Sequence, residues 1–227
     1  TGLDLMLASE LGGLGRLTYG MEWYYDEVRS HREDTNTTTG QTTAGRPTYP
    51  DDSYYQRFGV YLQDEIDLTS RLKGVGGVRY SSINAASTPL VGQSETPMHI
   101  EPSFQDWTGS FGLVYEINPC LHLVGDISEG FRAPGLDDLT GLRATNQGVD
   151  IPSPNLKPET SWNYEIGLKA DFERFRGQIF GFWTKLDDLI VRVPAGFQYE
   201  DRGALYDAYY KTNAGEAHLD GIELAGE

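Results

Sequence analysis

One cysteine, Cys120, serves the whole chain, so no internal disulfide can form. No CxxC or Cys/His spacing suited to zinc occurs either, and Cys120 reads as a small residue in a turn. Basic residues are scarce: Lys and Arg number 18 against 34 Asp and Glu, a net charge of −16. That balance excludes nucleic acid as a partner, because a phosphate backbone is met by basic surface. Long apolar runs are missing too. With a mean hydropathy of −0.46 and no run of about 18 apolar residues, a transmembrane helix is excluded. A transmembrane barrel is not, since its strands alternate between lipid and lumen and average out as polar. The opening residues TGLDLMLASE have no basic start and no long apolar core, so they read as a strand under way, not a signal peptide. No nucleophile–base pair or metal cluster can be assembled, which disfavours an enzyme and calls for no cofactor.

Aromatic residues and period-two alternation are abundant. Phe, Trp and Tyr make up 12% of the chain, with 14 tyrosines and 27 glycines. From Gly2 to Glu10, Leu3, Leu5 and Leu7 oppose Asp4, Met6, Ala8 and Glu10. Similar alternation runs over Arg16–Val28, Tyr54–Leu68, Leu72–Ala85, Trp107–Ile117, Leu121–Arg132 and Thr160–Phe172. A further strand is predicted over Arg176–Val193, apolar on both faces around Phe180 to Trp183, and a last one from Tyr206 to the end. The pattern therefore predicts nine strands, most of them well beyond the ~5–6 residues usual in soluble sheets.

Connections alternate in length. Short ones fall at Leu11–Gly15, Thr69–Arg71, Asn118–Cys120 and Glu173–Phe175. Long polar ones fall at Arg29–Ser53, Ala86–Gln105, Ala133–Glu159 and Pro194–Leu205. Tight turns at one end and long loops at the other are the plan of an outer-membrane barrel, and Trp107, Trp162 and Phe172 at strand ends suit its aromatic girdles. A soluble β-sandwich or soluble barrel would share the alternation; strand length and loop asymmetry favour the membrane. Asp64 falls on the apolar face of its strand and is expected near the periplasmic interface, since a carboxylate at the bilayer midplane is costly.

Five stretches stand in order: FGVYLQDEIDLTSRLKGVGGVRYSS, SEGFRAPGLDDL, PNLKPETSWNYEIGLK, LDDLI and TNAGEAHLDGIEL. Together with GRLTYGMEWYYDE upstream they resemble the C-terminal barrel half of TonB-dependent outer-membrane receptors, over nearly the whole chain. The resemblance implies an all-β, antiparallel transmembrane barrel, of which about nine strands of an expected 22 lie here. It also implies a plug domain and drive from the TonB complex. No plug, energy-coupling box or aromatic-ended terminal strand is seen, so residues 1–227 are expected to form an internal part of a longer receptor.

The implied function is active uptake of a scarce nutrient across the outer membrane of a Gram-negative bacterium, with a ferric siderophore the leading ligand. Cobalamin, haem or a saccharide are alternatives, as are a passive diffusion porin and a barrel serving as a docking surface. Lipopolysaccharide would surround the barrel. In haem receptors of this family a histidine is expected between the FRAP and NPxL boxes. Here Ala133 to Asn155 holds none and the second box reads SPNL, so that route is disfavoured. His31 and His99 fall in loops, His122 and His218 in strands, all four read as solvated or lumenal.

Candidate ligand contacts are Arg132, Asp137, Asp138, Arg143 and Asn146 on one long loop and His31, Arg32 and Tyr49 on another. The paired carboxylates Asp51-Asp52, Asp137-Asp138 and Asp187-Asp188 read as solvated loop charge. Parity puts Phe131 on the lipid side and Arg132 in the lumen at the mouth, with Pro134 ending the ladder because it has no N–H. Asn155 and Pro158 are expected to set where the next strand begins. Arg132 is expected to brace the wall through a carboxylate such as Glu165.

Overall fold

The computed structural model describes residues 1–91, 94–201 and 203–227. In chain order its strands are β1 (Gly2–Glu10), β2 (Arg16–Val28), β3 (Glu33–Thr35), β4 (Thr42–Ala44), β5 (Ser53–Thr69) and β6 (Leu72–Ala86). β7 (Leu90–Val91), β8 (Thr96–Pro97), β9 (Ser103–Asn118) and β10 (Leu121–Arg132) follow, then the short helix α1 (Leu136–Thr140). The remainder are β11 (Arg143–Thr145), β12 (Gly148–Asp150), β13 (Glu159–Phe172), β14 (Phe175–Asp187), β15 (Ile190–Asp201), β16 (Ala204–Asn213) and β17 (Ala217–Gly226).

Nine long strands form one antiparallel meander, β1-β2-β5-β6-β9-β10-β13-β14-β17, an unclosed stretch of barrel wall. Register follows the sequence parity, because a slip of one residue would turn every apolar side chain to the wrong face. Leu5 faces Met21, Met21 faces Val60, and Val60 faces Tyr80 along one surface. Tyr80 faces Trp107, and on the same surface a second row runs through Phe111, Ile127, Tyr164 and Trp183. This face carries large exposed apolar side chains, as a surface solvated by lipid does. Its rings gather towards the long-loop end. Trp23 stacks on Tyr25 and Tyr25 on Tyr54, while Trp162, Tyr164 and Trp183 follow each other across β13 and β14. Trp107 lies 5.0 Å from Tyr80 between them.

The opposite face is polar. Where β14 looked apolar on both sides, Ile179 and Trp183 point outward, and the inward Phe180 is laid flat over Gly167 of β13. A Cβ at Gly167 would stand 2.4 Å from that ring, so the glycine makes room for it. Asp64 sits on the outer face between Leu17 and Gly76, beside Gly15 of the first short turn. Among the described residues its Oδ1 has no hydrogen-bond partner.

Two predicted wall strands need correction. The strand expected over Arg176–Val193 leaves the wall at Asp187, and Asp188 turns the chain with φ 56°. Ile190 then starts β15 in a different sheet. The strand expected from Tyr206 onward is likewise two: β16 belongs to that second sheet, and only β17 re-enters the wall. The stretch Pro194–Leu205, expected as a loop, is the tip of the β15–β16 hairpin, Arg202 lying outside the described residues. Alternation alone merged these segments, because period two is the same in a wall strand and in a loop strand.

Candidate functional site

Two of the connections at the long-loop end share one sheet. Strands β11, β12, β16 and β15 form a four-stranded sheet of their own, with β12 and β16 parallel through Val149–Ala208 and Asp150–Tyr209. Leu142, Val149, Tyr199 and Ala208 form its buried core, joined by Leu90, Ile151 and Ala195. Leu139 of α1 is fully buried. Three different loops contribute to this burial, so it exists only when they assemble.

Polar contacts tie the same loops together at two hubs. At the first, Lys211 Nζ on β16 donates to Asp137 Oδ2 at 2.8 Å and to Asp138 Oδ1 at 2.9 Å. Tyr49, from the connection between β2 and β5, donates its hydroxyl to Asp137 Oδ1 at 3.2 Å. Asp138 Oδ2 also accepts the Gly135 N–H at 3.0 Å, which caps α1, and pairs with Arg132 Nη1 at 3.3 Å. Arg132 donates its Nε to Glu159 Oε2, while Glu159 Oε1 accepts the Ile190 N–H at 2.6 Å. The wall strands β10 and β13 are thereby joined to α1 and to the loop sheet. The partner of Arg132 is Glu159, not the expected Glu165: Glu165 faces Asp126 deeper in the lumen and accepts from Asn163 Nδ2 at 2.8 Å.

Burial raises the Asp138 carboxyl, but hydrogen bonds from Lys211 and Gly135 and the charges of Lys211 and Arg132 outweigh it, holding the group below its ordinary value. Lys211 is displaced upward, its desolvation outweighed by Asp137 and Asp138. The Tyr49 hydroxyl is raised by burial and by Asp137.

The second hub gathers the other loops. Arg46 binds Asp201 at 2.8 Å and also Glu95, and Tyr199 donates its hydroxyl to Glu95 at 2.7 Å. Burial, then Glu95, pushes the Tyr199 hydroxyl up to about 12. Nearby Asp150 accepts from Arg192 at 2.5 Å and lies 3.7 Å from Arg143, which is also 3.9 Å from Asp137. Arg192 in turn covers the Tyr209 ring at 3.6 Å.

Among the sequence candidates, Arg132, Asp137, Asp138, Arg143 and Tyr49 thus meet in one network. His31 and Arg32 do not join it: they pair locally with Glu33 at 3.2 Å and Asp34 at 3.1 Å on the exposed β3–β4 hairpin. Asn146 is exposed in the β11–β12 turn. Pro134 is fully buried, and its carbonyl accepts from the Tyr55 hydroxyl at 3.2 Å. Phe131 faces Thr160 on the outer face, as parity predicts. Asn155 is exposed and Pro158 half-buried in the approach to β13.

Sequence reasoning missed Asn213. Its Oδ1 accepts the Lys157 N–H at 2.8 Å, and its Nδ2 donates to the carbonyls of Lys157 at 2.9 Å and Asp188 at 2.6 Å. One side chain thus stands in for a strand neighbour to both the PNLKPE and LDDL segments, as only an amide with both donor and acceptor can.

A family model described as TonB dependent receptor-like, beta-barrel, matches residues 1–227. The chain belongs to the TonB-dependent receptor barrel family. That family is one of outer-membrane proteins, and its receptors bind small ligands. The vitamin B12 transporter BtuB of Photobacterium profundum is 32% identical over 117 residues, 52% of this chain and 17% of that protein. Heme/hemopexin utilization protein C of Haemophilus influenzae is 26% identical across 100% of this chain and 33% of its own length. Among solved structures, the copper transporter OprC matches with a TM-score of 0.76 at 15% identity, covering 99% of this chain and 35% of that one. The Serratia marcescens hemophore receptor HasR matches with a TM-score of 0.73 at 13% identity, over 98% of this chain and 38% of that one. The chain therefore spans less than two-fifths of the length of each of these relatives.

Proposed function

We propose that the chain supplies wall and extracellular surface to an outer-membrane receptor that takes up a scarce nutrient, a metal chelate of the ferric siderophore kind, with energy from the TonB complex. The observation that carries this reading is the division of one chain into an apolar-out, polar-in wall and a loop sheet folded over its mouth. A pore for passive diffusion has no need of a mouth organised to this degree, whereas capture requires a concave surface with fixed polar groups. The two open edges, β1 and β17, would be paired by further strands of the same barrel, because unpaired backbone groups in lipid cost several kcal/mol each. Ligand enters past the loop sheet, lipopolysaccharide surrounds the wall, and a plug closes the lumen.

Haem is the less favoured cargo, although the H. influenzae relative covers the whole chain. No histidine lies between Ala133 and Asn155, and His31 and His99 pair with Glu33 and Glu101 in separate loops.

Deleting the gene and growing cells on defined iron sources, cobalamin or sugars tests the reading. Loss of growth on one iron chelate, with uptake abolished by a protonophore while surface binding persists, is the expected result. Unchanged growth on every source, or flux that ignores the protonophore, would overturn it.

A further inference from the structure

Charge on the polar face of the wall is distributed unevenly between paired and unpaired groups. Apart from Lys169, the basic side chains there are consumed by carboxylates. Arg79 reaches across Gly59 to Glu22 at 2.6 Å, a path that a Cβ on Gly59, 2.3 Å from the guanidinium, would block. Lys73 binds Glu65 at 2.7 Å, Arg176 binds Asp171 at 2.9 Å, Arg57 lies 3.5 Å from Asp26, and Arg16 3.6 Å from Glu10. Arg132 is held by Glu159 and Asp138. Lys169 rests 5.6 Å over the Phe180 ring.

Carboxylates remain in surplus on this face. By register Asp106, Glu116, Asp126 and Glu165, all on strands with a neighbour on either side, point to the same side. Among the described residues none of them has a basic group within 4 Å. Asp126 and Glu165 stand directly opposite each other on β10 and β13. Like charges so placed destabilise a sheet, so the wall holds this pair at a cost. The mouth repeats the pattern: Arg46, Arg143, Arg192 and Lys211 are all neutralised by loop carboxylates.

A translocation path lined by a surplus of charge of one sign, between low-dielectric walls, focuses the field and sorts ligands by charge. We infer that the ligand is a neutral or cationic metal chelate and that polyanionic chelates are rejected. This rests on the uptake reading above and narrows it to a ligand class. The selection needs no binding pocket for the chelate on this stretch of wall; the free charge along the route sets the preference.

The test uses the full-length receptor in cells lacking other iron receptors, fed three radiolabelled ferric complexes. These are a neutral trihydroxamate, the same scaffold bearing a protonated amine, and a trianionic tris-catecholate. Half-maximal uptake of the first two is expected at concentrations about tenfold or more below the third. The gap should shrink as salt is raised. The Asp126→Asn/Glu165→Gln double variant, checked for normal surface level, should narrow it further. Equal or preferred uptake of the tris-catecholate at low salt overturns the inference and leaves the uptake reading standing. Absence of any deletion phenotype sinks the uptake reading first.

A ligand-independent arm decides the case where none of the three complexes is carried. The purified receptor in a planar bilayer, opened by mild denaturant under a KCl gradient, should favour potassium over chloride. A reversal potential favouring chloride contradicts the inference.

Discussion

The wall and the loop sheet are both β-structure, yet they are held by opposite means. The wall shows its largest apolar side chains to the outside: Ile222 and Leu224 are 73% and 75% exposed, and its coherence comes from continuous backbone ladders and cross-strand contacts. In the loop sheet the core apolar residues are hidden. Tyr199 is 2% exposed and Leu139 fully buried, and ion-paired hubs join loops far apart in sequence. One half is stabilised as a membrane protein is, the other as a small soluble domain is. A perturbation in one region should therefore leave the other folded.

The sharpest test of that separation is Tyr199→Ala. Emptying this buried site should cost the loop sheet roughly 3–5 kcal/mol. In the full-length receptor, limited proteolysis should then cut between Ile190 and Asn213 while heat-modifiable migration, the mark of an intact barrel, persists. Loss of both together would mean that the two regions fold as one.

Gly167→Leu makes the converse break. Its side chain collides with the Phe180 ring and with the Ile179 carbonyl, 2.6 Å from a Cβ there, in the middle of the β13–β14 ladder. Overpacking costs about 1–3 kcal/mol. The amount of heat-modifiable receptor in the membrane should fall, and a normal yield would show that the wall tolerates a side chain there.

Smaller effects probe the junction. Arg132→Ala removes the link between wall and α1, and because the guanidinium is about half exposed the loss should be about 1 kcal/mol. Its signature is faster proteolysis after Gly135 with the wall unaffected; an unchanged cleavage rate would show that Lys211 alone holds the loop.

Acidity gives the mildest handle. Asp138 titrates below the ordinary aspartate value of 3.8, so its contribution is present above that value and is lost as pH falls through the lowered one. Lys211 titrates above its ordinary value of 10.5, so its contribution is complete below 10.5 and is lost only as pH rises through the raised value. Protease resistance of the loops should therefore be flat between these limits and decline outside them. A transition near neutral pH would point to a histidine instead.

Much of the wall was legible in the sequence, because one face in lipid and one in water impose period two on each strand. Six strands could be placed to within a residue at each end, β9 begins four residues before the expected Trp107, and Phe131 and Arg132 could be assigned to opposite faces from parity alone. The loop sheet was not legible. Its strands pair across long separations, Val149 with Ala208 for example, and β15, following β14 after a two-residue turn, looks like an extension of the wall. Parity suggested that Arg132 would meet a carboxylate of the next strand, though Glu165 was the one expected. Glu159 was harder to choose, since it sits at the first residue of β13, where the polar box gives way to the strand. Asn213 carried no periodic mark at all, for its task is to bond two backbone segments that meet only in the folded molecule.

The central claim is that the β10–β13 and β14–β17 connections form one folded sheet before any ligand arrives. Hydrogen exchange of the full-length receptor in native membrane vesicles, without ligand, measures this directly. The account predicts that the amides of Ile151, Ser153 and Lys211, bonded to the Tyr209 carbonyl, the Leu139 carbonyl and the Ser153 hydroxyl, exchange slowly and together. Those of the exposed β3–β4 hairpin should exchange rapidly. Exchange of both groups at the same unprotected rate would contradict it.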